Sequence, residues 1–94
     1  NEVSYAFGYD LMSDVLAFVK GKTLLLTGLT NQQVVRTAEI ADLSAIVFVR
    51  GKKPGDDIVE LAVEKGIALL LTRNTMYTAS GKLYSRGLEG VSID

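Results

Sequence analysis

Short apolar runs alternate with helix-length amphipathic stretches along nearly the whole chain. Thr23 to Thr27, Ala45 to Val49 and Ile67 to Thr72 are β-rich, strand-sized and bounded by glycine, asparagine or charged residues, which predicts three strands. All three are apolar at successive positions rather than alternate ones, so they suit a parallel sheet with helices on both faces. A fourth run, Val3 to Phe7, takes the place expected before a first helix.

Helical spacing fills the intervals. From Asp10, the residues Leu11, Val15, Leu16 and Val19 recur on one face, and Gly21 supplies a stop. Thr30 or Asn31 caps the next helix, in which Val34, Val35, Ala38 and Ala41 form the apolar stripe while Gln33, Arg36 and Glu39 face water. Pro54 and Gly55 turn the chain into a third, where Ile58, Leu61, Ala62 and Val63 pack and Gly66 ends the run. Asn74 or Thr75 opens a fourth through Ala79 and Leu83, with Gly81 lowering its helix propensity.

The resulting order is β-α-β-α-β-α-β-α with short connections. Right-handed crossovers then impose an α/β fold with a mostly parallel four-stranded sheet covered by helices. Residues 1–94 form a single domain on this reading, with 87–94 as a tail or an extra short strand. A chain of 94 residues buries proportionately little surface, so a homodimer or a larger parent protein is expected. A start at Asn1 points the same way, toward a piece of something longer.

Composition narrows the chemistry. Ten basic and eleven acidic residues leave a net charge of −1, which provides no global field for nucleic acid or an anionic membrane. Cysteine and histidine are both absent, which removes disulfides, thiolate chemistry, the commonest general base and the commonest metal ligands. The apolar runs are too short to span a bilayer. A cytoplasmic protein without cofactor or metal is expected. Serines Ser13, Ser80 and Ser85 have no histidine to activate them, and Asp10, Asp14, Asp56 and Asp57 are better explained as complements to helix dipoles than as catalytic acids. No catalytic residue is assigned.

In a parallel sheet the loops leaving the strand carboxyl ends gather on one edge, toward which helix amino ends point. That edge would collect Thr27, Gly28 and Asn31 after one strand, Arg50, Gly51 and Lys53 after the next, and Arg73 and Thr75 after a third. The convergence of basic, hydroxyl and amide groups suits an anion. Polar loops and ordinary helix caps explain the same residues without any ligand, and neither a Walker sequence nor a G-x-G-x-x-G is present. Tyr77, Leu83, Tyr84 and Leu88 form an apolar strip on the last helix and its exit, a candidate interface.

Several segments resemble one family. The runs GYDLMSDVLA at Gly8 to Ala17, LLLTG at Leu24 to Gly28, AIVFVRG at Ala45 to Gly51 and LAVEKGIALLLT at Leu61 to Thr72, followed by TASGKLY, look like a DRTGG domain over nearly the full length. The resemblance implies a fold like the amino-terminal domain of HPr kinase/phosphorylase, without the separate P-loop domain that carries phosphoryl transfer there. It implies a regulatory or dimer-forming element. The signature itself departs from the family's: the Asp-Arg expected after the second strand is replaced around Leu29 to Asn31, and the Thr-Gly-Gly after the third reads Val49-Arg50-Gly51, of which Gly51 alone matches. The expected function is therefore a non-catalytic regulatory, ligand-sensing or dimerisation domain, with an anionic metabolite or nucleotide as ligand at the strand carboxyl edge. The alternative is a structural protein–protein interaction module with no small-molecule ligand, its partner another domain or protein.

Overall fold

A computed structural model describes residues 3–8, 12, 15 and 22–90 of the chain. Five parallel strands make one sheet: β1 (Tyr5–Gly8), β2 (Thr23–Thr27), β3 (Ala45–Phe48), β4 (Ala68–Leu71) and β5 (Glu89–Gly90). Their spatial order is β4-β3-β2-β1-β5. Three helices are described, α1 (Gln32–Ile40), α2 (Asp56–Lys65) and α3 (Met76–Ser85). The α/β parallel architecture expected from the sequence is the observed one, with the 87–94 segment contributing β5 beside β1.

Local chemistry sets the helix ends. Asn31 caps α1 through its side-chain oxygen, which accepts from the Val34 N–H at 3.3 Å. Thr75 does the same for α3, accepting from the Thr78 N–H. Gly55 precedes α2 and offers no side-chain cap; instead Asp56 and Asp57 bring negative charge to its first turn, and Gly66 closes it in the left-handed region at φ 71°. Helix α1 ends without a glycine, because Asp42 takes the left-handed conformation at φ 56°.

The two sheet faces are covered unequally. On one, Leu25, Ile46 and Phe48 pack beneath Val34, Val35 and Ala38 of α1 and Ile58 and Ala62 of α2. Met12 and Val15, both helical and buried, join this core, whereas the remainder of the predicted first helix (Leu11, Leu16, Val19 and its Gly21 stop) lies outside the described residues. On the other face Leu24, Leu26, Ala45 and Val49 meet α3 through Ala79, with Met76 and Leu83 packed against them. This division follows from chain direction. Steps from β2 to β3 to β4 move one way along the sheet, and the step from β4 to β5 moves the other, so a right-handed crossover puts α3 on the opposite face from α1 and α2.

Two expectations are corrected. The segment Ile67 to Thr72 does not form a strand covered on both faces: β4 is an edge strand, and Ala68, Leu70 and Leu71 are exposed. Val63 does not pack either, at 75% exposure. Each residue turns about 100° around a helix, so Ile58 and Ala62 face the sheet while Val59 and Val63 form a separate line pointing away from the core.

Candidate functional site

Strands β3 and β4 are neighbours, yet the helices that follow them lie on opposite faces of the sheet. Such a reversal is the place where open α/β sheets commonly bind ligands, outside the strand carboxyl ends. The loops here are tied together at their base: the Arg50 N–H donates to the Asn74 carbonyl and the Gly51 N–H to the Thr72 carbonyl, each at 2.8 Å. Thr72 completes the turn by accepting from the Asn74 N–H at 3.2 Å.

Arg50 is the unusual residue of this rim. Its backbone is left-handed at φ 60°, followed by Gly51 at φ 67°, so a side chain stands where the turn geometry favours glycine. That conformation lays the guanidinium directly over Gly28 at the end of β2. A Cβ placed on residue 28 would meet the guanidinium of Arg50, so the group lies in space that a side chain there would occupy. Arg73, in the loop after β4, packs near the turn at Gly51, its Cγ 3.9 Å from where a Cβ on that residue would lie. Neither arginine pairs with a carboxylate among the described residues, where the ion pair joins Lys65 to Glu39 at 3.1 Å on the far side of α2.

The other sequence-predicted residues divide by role. Thr27 is fully buried and its hydroxyl accepts from the Leu29 N–H, so it shapes the turn beneath Arg50. Asn31 and Thr75 engage their own helix ends as caps. Lys53 is exposed in the loop that enters α2, next to the acidic first turn of that helix. Helix α3 carries no acid in its first turn, whereas at the start of α1 the Gln32 side-chain amide donates to the Asp57 carboxylate at 3.4 Å, so the electropositive part of the rim runs from Arg50 and Arg73 to Thr75. Thr72 and Asn74 were not singled out as site residues by sequence. Only the ladder between loops, not any motif, reveals that they position Arg50.

Beside the rim, a cleft of about 190 Å³ opens between α3 and the sheet, lined by Leu26, Val47, Thr72, Asn74, Lys82 and Leu83. Its walls are apolar except at the end nearest Arg73 and at Lys82. Elsewhere on α3, the predicted interface residues Tyr77, Leu83, Tyr84 and Leu88 come together along one groove with Phe7 and Gly8. Tyr77 and Tyr84 are 89% and 72% exposed, while Leu83 is half-buried against the sheet. No metal-binding cluster of acidic residues exists among the described residues, and no helix there is long and apolar enough to cross a membrane.

No protein-family model, curated protein or solved structure matches this chain.

Proposed function

We propose that this chain is a non-catalytic, DRTGG-like regulatory module that binds a small anionic metabolite, a phosphate ester being the best chemical fit, on the carboxyl rim between β2, β3 and β4. The observation that carries the reading is Arg50. A left-handed arginine backbone costs about 1–2 kcal/mol relative to glycine at the same angles, and strain of this kind persists where a side chain is needed in one place. Arg73, on the neighbouring loop beside Gly51, offers a second cation to this reading, and guanidinium groups suit the planar, bidentate recognition of phosphate or carboxylate. The flanking amino end of α3 favours the same sign of ligand charge, and the adjoining apolar cleft gives room for an uncharged portion. The sequence resemblance to a family of regulatory domains supports the absence of chemistry at the site, as does the lack of any histidine or cysteine.

Calorimetric titration with inorganic phosphate, nucleotides and sugar phosphates tests this. A saturable heat in the wild-type chain that disappears in Arg50→Ala/Arg73→Ala is the expected result, and a heat indifferent to the double substitution removes the site. A second reading is a protein-interaction module that takes no small molecule, favoured by the exposure of Tyr77 and Tyr84 on α3. It predicts no response to any metabolite in that panel.

A further inference from the structure

The edge of the sheet at β4 is open, and its chemistry is that of a strand waiting for another. Ala68 N–H reaches the Ser44 carbonyl and Thr72 N–H the Phe48 carbonyl, so residues 68, 70 and 72 turn their backbone groups inward to β3. In a parallel strand, bonding directions alternate. Leu69 and Leu71 therefore present N–H and C=O outward, with no strand beyond them among the described residues. Natural edges of this kind are blunted by lysine, proline or a bulge. Residues 66–72 contain none of the charged types or proline, and Leu70 and Leu71 are 49% and 50% exposed. On α2 above, Val59 and Val63 extend the uncovered apolar surface.

No described residue covers that edge.

We propose that β4 pairs antiparallel with β4 of a second copy of this chain, forming one continuous ten-stranded sheet around a two-fold axis at Leu70. The register follows from the hydrogen bonds. Side chains directly opposite in an antiparallel ladder share a face, so a two-fold must pass through a residue rather than between two. Centring on Leu69 would recruit Ile67, whose N–H is already donated to the Ala62 carbonyl at 2.9 Å. Centring on Leu70 uses the outward groups of Leu69 and Leu71 as two reciprocal bonded pairs, Leu69 with the other copy's Leu71 and the reverse. Leu70 then faces its own counterpart in the close, non-bonded position. The ladder opposes no like charges, because the strand has no charge, and it brings Val59 and Val63 of both copies to the same face. A self-complementary strand meets its partner in every other copy, which is what an isologous contact requires.

Sedimentation velocity across a concentration series, together with directed crosslinking, tests the pairing. The wild-type chain is expected to shift from monomer to dimer with concentration. Leu70→Lys sets two ammonium groups against each other and should raise the dimer dissociation constant about tenfold or more, with far-UV circular dichroism unchanged. The chain contains no native cysteine. Leu70→Cys should therefore form a symmetric disulfide on mild oxidation, since the close pair sets Cα atoms about 4.5 Å apart, within the span a disulfide tolerates. Should Leu70→Lys fail to fold, the crosslink decides alone. A wild-type chain monomeric throughout the series overturns the proposal. So does efficient crosslinking of Tyr84→Cys with none of Leu70→Cys, which would move the contact to α3.

Discussion

At the level of single residues, Arg50 and Gly28 act as a pair across two strand ends. The guanidinium occupies the space a methyl group on residue 28 would need, and the arginine backbone holds an angle that glycine would adopt without strain. Stability and binding should therefore move in opposite directions at position 50. Arg50→Gly is expected to raise the free energy of unfolding by up to about 1 kcal/mol, the relief of backbone strain being partly offset by the greater freedom of the unfolded chain. Urea denaturation measures that gain, and the same variant should lose its phosphate-ester heat. A variant both less stable and unimpaired in binding would show that Arg50 is structural. The parallel order expected from sequence already gathered these loop positions on one edge, but not the contact of Arg50 with Gly28. The positive φ at Arg50 has no signature in composition, because arginine is a poor candidate for that region, and the supporting bonds from Thr72 and Asn74 depend on which strands are neighbours.

Elements were the most legible level. Strand β2 occupies the predicted Thr23–Thr27 span, and the punctuation by Asn31, Gly55, Gly66 and Thr75 falls at observed helix ends. These ends are decided locally, by a side-chain oxygen within reach of an N–H or by a glycine able to turn left-handed, and local chemistry is what a sequence displays. Asp42 shows the limit. It stops α1 in the conformation usually assigned to glycine, so no stop was readable there. The caps also carry testable weight. Asn31→Ala removes the acceptor for the Val34 N–H and should cost about 1 kcal/mol in thermal or urea unfolding, whereas Asn31→Asp or Asn31→Ser should retain most of that stability.

Over the whole molecule, sequence indicated that the strands run parallel but not their order. The apolar runs of β2, β3 and β4 look alike, so nothing in their composition marks β4 as the edge; that follows from where the crossover helices are sent. The unequal faces have an energetic consequence. Phe48 is fully buried under α1 and α2, and Phe48→Ala should cost about 3–5 kcal/mol, enough to unfold much of the population of a domain this small. Leu83, half-buried on the sheet side of α3, the single described helix of the opposite face, should lose less than the 2–5 kcal/mol typical of a fully buried leucine when changed to alanine. Comparing the two by urea denaturation checks whether the α1–α2 layer dominates the core.

The placement of β5 bears on how the molecule is made. As a ribosome delivers the chain, β1 to β4 emerge in the same order in which they stand side by side, each able to join a neighbour already synthesised. Only the two-residue Glu89–Gly90 must travel back past three strands to reach β1. The β2–β3–β4 rim with Arg50 and Arg73 makes no strand pairing with that last element, so its neighbours are all available before the return.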